Sequence, residues 1–157
     1  MKPVKKTATF TRPSDTTAYA AGDLVANSVT AGSVVPMSIT FNESGGNGLF
    51  LTNATLKKSQ ATITNASFRL WCLNASPTVT NGDNGAIAGN FLSTVMFEPL
   101  TIDVLALLTG GGALGTSTWR DNALEVPNTA YFLLEALAAY TPASAEVFTL
   151  EITGRTL

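Results

Sequence analysis

The sequence contains no histidine and only one cysteine among its 157 residues. Without histidine, the chain cannot build a Ser-His-Asp triad, a Cys-His pair, a histidine-ligated zinc site or a histidine pH switch. A single cysteine can form neither an internal disulfide nor a cysteine cluster for zinc or iron–sulfur. These absences lead us to expect a protein that is not an enzyme and holds no metal or cofactor.

Charged residues are also scarce, and long apolar runs are missing. Charged residues make up 13% of the chain and apolar residues 45%, which is not the composition of a disordered protein. No stretch approaches the ~18 consecutive apolar residues of a membrane span. The basic start of the chain is followed by a polar segment rather than the apolar core of a signal peptide. We therefore expect a protein that is neither exported nor bound to a membrane.

The residues that are abundant favour β-structure. Threonine is the commonest residue, whereas lysine, glutamate and glutamine are few. Branched side chains fit a pleated sheet better than a helix, so this balance favours strands. The length is that of one domain.

Several segments carry strand-like patterning separated by turn residues. They are 35–41, 49–58, 61–73, 131–140 and 147–153. The short link after 131–140 predicts that this strand forms an antiparallel hairpin with 147–153, with a helix as the alternative for 131–140. Residues 105–108 are interpreted as either a buried strand or a helical turn. The predicted fold is all-β: a single-domain antiparallel β-sandwich, jelly-roll-like, with no βαβ rhythm.

Charge is distributed unevenly. The segment 1–12 contains Lys2, Lys5, Lys6 and Arg12 and no acid, whereas the rest has five bases against eleven acids. This predicts a basic N-terminal arm, 1–12, ahead of a β-sandwich domain, 13–157. Such an arm would contact an acidic neighbour and weaken its grip as salt rises, unless it is simply a solvated terminus.

Three features that superficially suggest chemistry are better explained structurally. The glycine-rich 110–115 lacks the Lys-Ser/Thr ending of a phosphate loop, and 81–85 offers a single carboxylate, Asp83, where a calcium loop needs several. Glu135 and Glu151 would face each other across the predicted hairpin. Because acids on a sheet surface are commonplace, we favour exposed side chains over a glycosidase pair.

Arg69 and Trp71 share the outward face of their predicted strand, while Phe68, Leu70 and Cys72 share the inward face. Cys72 is therefore predicted to be an inert, buried thiol. Arginine and tryptophan are enriched in binding hot spots, so these two residues are interface candidates. The alternative is that Trp71 is covered within its own domain. Negative net charge and few aromatic residues give no indication of nucleic-acid binding.

Three segments resemble a known family. They are 9–28 (TFTRPSDTTAYAAGDLVANS), 70–85 (LWCLNASPTVTNGDNG) and 139–148 (AYTPASAEVF). These segments are similar to tailed-bacteriophage and prophage virion structural proteins, specifically small capsid decoration, or cement, proteins. They cover about a third of the chain. The resemblance does not identify a particular phage.

The resemblance implies a protein made in the host cytoplasm that binds the outside of the capsid and stabilises it by bridging neighbouring major capsid subunits. A homo-oligomer would suit a symmetric shell junction, with a trimer favoured and a dimer possible. Lys2, Lys5, Lys6 and Arg12 are the predicted capsid contacts.

The alternative function is a carbohydrate- or host-surface-binding module of a head or tail fibre. Such a module presents aromatic platforms, for which the candidates are Trp71, Trp119, Tyr131 and Tyr140. Two coplanar rings on one exposed face would favour this alternative.

Overall fold

The computed structural model describes residues 2–41, 49–107, 111–119 and 128–156. Within these ranges the regular structure is almost entirely β, with two single-turn 3₁₀ helices at Ala31–Ser33 and Leu92–Thr94. The strands are β1 (Pro3–Thr11), β2 (Leu24–Val25), β3 (Met37–Thr40), β4 (Leu49–Lys58), β5 (Ser67–Leu73), β6 (Thr78–Val79), β7 (Gly89–Asn90), β8 (Leu100–Asp103), β9 (Leu105–Ala106), β10 (Ala113–Thr118), β11 (Thr129–Ala136) and β12 (Val147–Thr156). In the described ranges, no helix is long and apolar enough to cross a membrane.

The first sheet has the order β1-β12-β4-β10-β9, and every neighbouring pair is antiparallel. Buried and more exposed residues alternate along β4 and β12, because successive side chains in a strand point to opposite faces. β1 lies at one edge of this sheet and pairs with β12 over nine residues, from Pro3 opposite Arg155 to Thr11 opposite Val147.

The second sheet has the order β2-β11-β5-β8, and β3 also pairs with β11. All of its pairings are antiparallel. The chain between β5 and β8 contains the small β6–β7 ladder. Part of this connection packs on the second sheet through Val79 and Phe91.

The two large sheets share one hydrophobic core. Phe68 of the second sheet lies edge-on to Phe148 of the first, with ring centroids 5.6 Å apart. Leu56 and Ile152 from the first sheet and Phe132 from the second are completely buried in the same cluster. A buried Phe or Ile side chain stabilises the fold by about 1.5–3 kcal/mol through removal of apolar surface from water.

The structure confirms the prediction of an all-β antiparallel protein and most of the predicted strands. β4 has the predicted bounds, and β11 is a strand rather than a helix. Asn65 adopts a left-handed conformation, φ 57°, in the turn before β5, so 61–73 is not one continuous strand. The period of two in 35–41 places Val35 on the same inward face as Met37 and Ile39, but Val35 lies before β3 and is 69% exposed.

The predicted C-terminal hairpin is wrong. β11 pairs with β2, β3 and β5 in the second sheet, whereas β12 pairs with β1 and β4 in the first. The link 137–146 therefore carries the chain from one sheet to the other. The burial pattern explains this placement, because residues 132–136 of β11 are all buried, as expected for a strand covered on both faces. In the region left open, residues 105–106 form strand β9, but both are exposed rather than buried as predicted, and residue 108 lies outside the described residues.

Candidate interaction site

The outer face of the first sheet is polar and rich in threonine. We call this surface the threonine face; it comprises Lys5, Thr7, Thr9, Asn53, Thr55, Lys57, Thr116, Thr118, Thr149, Glu151 and Thr153. Thr9 and Thr149 share a hydroxyl hydrogen bond of 3.1 Å across β1 and β12. β-branched residues suit the pleated surface, and such cross-strand pairs stabilise it.

Glu151 lies between the two lysines of the threonine face. Its Oε2 is 2.9 Å from Nζ of Lys5 on one neighbouring strand and 2.9 Å from Nζ of Lys57 on the other. Hydrogen bonds from these two ammonium groups hold the pKa of Glu151 below its usual value. Since two cations flank one anion, the face has a local positive excess.

The lowered pKa of Glu151 predicts a pH-dependent contribution to stability. This contribution is complete above the unfolded pKa of about 4.3 and is lost as pH falls through the lower folded pKa. Because both lysines are largely exposed, we expect Glu151→Gln to reduce the free energy of unfolding by no more than about 1 kcal/mol at pH 7. Urea unfolding at pH 7 and pH 2.5 measures it, and the difference from wild type should vanish at the lower pH. The control is Glu98→Gln, at an exposed position; an equal effect there would contradict the assignment.

The predicted N-terminal arm is not separate from the domain. Residues 3–11 form strand β1, an integral part of the first sheet. Lys2 and Lys5 are exposed, but Lys6 is half-buried and points to the opposite face of β1 from Lys5. The boundary predicted at 12/13 therefore falls at the end of a paired strand, and the basic residues do not form one surface.

Arg12 is buried, so its predicted place among exposed contacts is wrong. Its guanidinium donates to Asp83 Oδ2 at 3.0 Å, to the hydroxyl of Tyr19 at 2.9 Å and to the backbone oxygen of Asp15 at 2.6 Å. The side chains of Arg12 and Asp83 are both 0% exposed. The charge of Arg12, one of the four that suggested an arm, is instead neutralised inside the fold.

Asp83 is the residue around which this buried cluster is built. Its Oδ1 accepts hydrogen bonds from the hydroxyl of Tyr19 at 2.7 Å and from the backbone N–H of Ala26 at 2.8 Å. Burial raises the pKa of Asp83, and these bonds together with the charge of Arg12 offset that effect only in part. The sequence interpretation of 81–85 as a turn missed this role. Arg12 and Asp83 are 71 positions apart, and no local pattern connects them.

A second buried ion pair lies beside the first. Lys58 Nζ is 2.6 Å from Glu146 Oε1, both side chains are 0% exposed, and Tyr140 donates its hydroxyl hydrogen to Glu146 Oε2. Burial, followed by the effect of the glutamate, raises the pKa of Tyr140, so the phenol remains a donor. The rings of Tyr19 and Tyr140 stack at 6.1 Å and join the two clusters. Among the described residues, no buried side-chain polar atom lacks a partner.

Arg69 and Trp71 form a compact group with Glu135. Arg69 donates to both carboxylate oxygens of Glu135 at 3.1 and 3.2 Å, and Trp71 Nε1 donates to one of them at 2.8 Å. Trp71 is half-buried and meets Phe91 edge-on at 5.7 Å. Part of its surface is therefore covered by its own chain, as the alternative interpretation held. Arg69 retains 40% side-chain exposure.

The other sequence candidates are separated by the fold. Glu135 and Glu151 lie in different sheets, and each has its own cationic partners, so they do not face each other. Burial raises the pKa of the Cys72 thiol, consistent with an inert side chain. In the part of the chain that the structure describes, no group of three or more His, Cys, Asp or Glu residues could hold a metal ion. The glycine-rich segment 110–115 lies within the described residues except for residue 110.

No protein-family model matches the chain, and no curated protein matches it either. The candidate residues are therefore placed by the geometry of this fold alone. That geometry leaves two surfaces with interaction potential: the threonine face, and the smaller group around Arg69 and Trp71.

Proposed function

We propose that the protein is a non-enzymatic virion component of a tailed bacteriophage or prophage, which binds the outer surface of the capsid and bridges neighbouring major capsid subunits. In this proposal it is a decoration, or cement, protein, and its sheets form a jelly-roll-like sandwich. It is made in the host cytoplasm and ends on the capsid exterior. The proposed family rests on the three segments that resemble virion proteins. The proposed capsid-binding surface is the threonine face.

The threonine face is the observation that carries the proposal. A cement protein needs many moderate contacts whose effects multiply when one molecule holds several subunits. Hydroxyl groups arranged on four neighbouring strands offer such contacts, because each can donate and accept a hydrogen bond. Lys5 and Lys57 add attraction for acidic groups on the shell, and this attraction weakens with salt.

A stable scaffold also supports the proposal. The two buried ion pairs fix the ends of β1, β4 and β12 through contacts between residues distant in sequence. The sheet that carries the threonine face therefore has its strand ends fixed by buried ion pairs. Such pre-organisation lowers the entropy that ordering would cost on binding.

Binding to undecorated, expanded capsids tests the proposal. We expect saturable binding of the purified protein and a gain in resistance of the shell to heat. The double variant Lys5→Gln/Lys57→Gln should weaken binding at low salt about tenfold, as expected for the loss of two charged contacts. The matched change on the second sheet is Arg69→Gln, which we expect to leave affinity within about twofold.

The possible outcomes separate the parts of the proposal. Absence of saturable binding, or binding without any gain in shell stability, would reject the cement role. A loss confined to Arg69→Gln would move the contact to the second sheet. For the fibre alternative, Trp119 and Tyr140 are buried, so only Trp71 and Tyr131 of the aromatic candidates remain partly exposed.

A further inference from the structure

One edge of the first sheet is open among the described residues. β1 pairs with β12 on one side; β3 of the second sheet packs near its other side, but no described strand forms a ladder with β1 there. An edge strand with free N–H and C=O groups is a ready template for another strand. Natural proteins protect such edges with charge and proline. Here Pro3 lies at one end, and Lys5 directs its charge along the face to Glu151 rather than toward the edge.

The hydrogen bonds of β1 identify which groups face outward. Thr156 N–H donates to the oxygen of Lys2, and Arg12 N–H donates to the oxygen of Glu146. Bonded pairs in an antiparallel ladder recur at every second residue, so the even-numbered residues of β1 bond to β12. The odd-numbered residues therefore direct their backbone groups to the open edge, and between 5 and 11 each of them carries an N–H.

The sequence of β1 suits pairing with a second copy of itself. The strand is centred on Thr7, so full antiparallel overlap with an identical strand places Thr7 opposite Thr7. In this register the outward-directed odd residues face each other, with Lys5 opposite Thr9. Lys6 then lies opposite Ala8. No lysine faces another lysine, whereas centring the pair on residue 5 or 6 would oppose like charges.

Threonine pairs already recur across strands within this chain. The hydroxyls of Thr55 and Thr116 are 2.8 Å apart, and those of Thr40 and Thr129 are 3.1 Å apart. A Thr7–Thr7 contact on the two-fold axis would repeat the same arrangement. Beside the open edge lies a groove of about 410 Å³, formed partly by β1 and partly by residues 35–38. It includes the exposed Val35, which gives a partner apolar surface to cover.

We infer that two copies of this chain associate through β1, in antiparallel register about a two-fold axis at Thr7, to form a continuous ten-stranded sheet. The interface is isologous, since the same strand is used by both copies. It yields a dimer, not the trimer favoured from the sequence. The inference concerns the protein free of capsids and stands independently of the proposed function.

Two alternative substitutions at residue 9, one acidic and one basic, test the register. Because Thr9 faces Lys5 of the other copy, Thr9→Glu should tighten the dimer and Thr9→Lys should loosen it. Two such contacts form in each dimer, so we expect about a tenfold change in dissociation constant in each direction. Sedimentation equilibrium on the full chain, whose monomer is 16.3 kDa, measures all three constants.

A second variant tests the edge without disturbing the fold. Thr7→Pro removes an N–H that faces the open edge and leaves the ladder to β12 intact, so it should abolish the dimer while the thermal midpoint changes little. A wild-type protein that sediments as a monomer at the highest soluble concentration overturns the inference; this is also the outcome expected if the edge receives an extended segment of another protein. A dimer that persists in Thr7→Pro, or equal constants for Thr9→Glu and Thr9→Lys, overturns it as well.

Discussion

Replacing Asp83 by asparagine should lower the free energy of unfolding by about 3–5 kcal/mol, the usual cost of removing one member of a buried ion pair. The asparagine side chain has nearly the same shape but only one acceptor oxygen. Three donors, from Arg12, Tyr19 and Ala26, converge on the two carboxylate oxygens in the native protein. The substitution therefore leaves a buried guanidinium without its buried counter-ion and places an amide hydrogen against a donor.

Urea unfolding monitored by tryptophan fluorescence measures this loss. The matched control is Asp15→Asn, because Asp15 also contacts Arg12, at 3.2 Å, but its side chain is 35% exposed. We expect the control to cost about 1 kcal/mol or less, since solvent screens an exposed carboxylate. Equal losses for the two variants would contradict the assignment of Asp83 as the centre of the cluster.

The second large effect is expected at Lys58. Lys58→Met leaves Glu146 buried without a cation and should destabilise the protein by about 3–5 kcal/mol. The double variant Lys58→Met/Glu146→Gln removes both charges while the amide oxygen can still accept from Tyr140. We therefore expect the double variant to be more stable than Lys58→Met alone, because no uncompensated charge remains.

Lys57 provides a control from the same strand. Its side chain is 45% exposed and its partner Glu151 has a second cation, so Lys57→Met should cost at most about 1 kcal/mol. Thermal and urea unfolding of wild type, Lys58→Met, Glu146→Gln, the double variant and Lys57→Met complete the comparison. A double variant as unstable as the sum of its two single variants would show that the charges do not compensate each other.

The fold class was accessible from sequence because local patterns report which faces are buried. The alternation in 147–153 and the bounds of β4 follow directly from the period of two. Strand pairing was not accessible in the same way. A short link suggested that β11 and β12 form a hairpin, but continuous burial along β11 belongs to a strand covered on both faces.

The buried charges were the least predictable part of the candidate site. Counting the charges near the chain start grouped Arg12 with Lys2 and Lys5, although Arg12 ends inside the protein. Its partner Asp83 looked like an ordinary turn residue, because the contact depends on how two distant loops pack. For Arg69 and Trp71, the shared face was predictable, whereas the coverage of Trp71 by Phe91 required the tertiary structure.

The position of β12 has a consequence for how the chain folds. β12 follows β1 and β4 in sequence, yet it lies between them in the first sheet. During synthesis, β1 and β4 cannot pair with their shared neighbour until β12 has been made. Closing such long loops delays folding to the millisecond-to-second range typical of non-local β-proteins. In the second sheet only β5 and β8 pair across a shorter separation and can form earlier, because β2, β3 and β5 pair with β11, which is nearly as late in the sequence as β12.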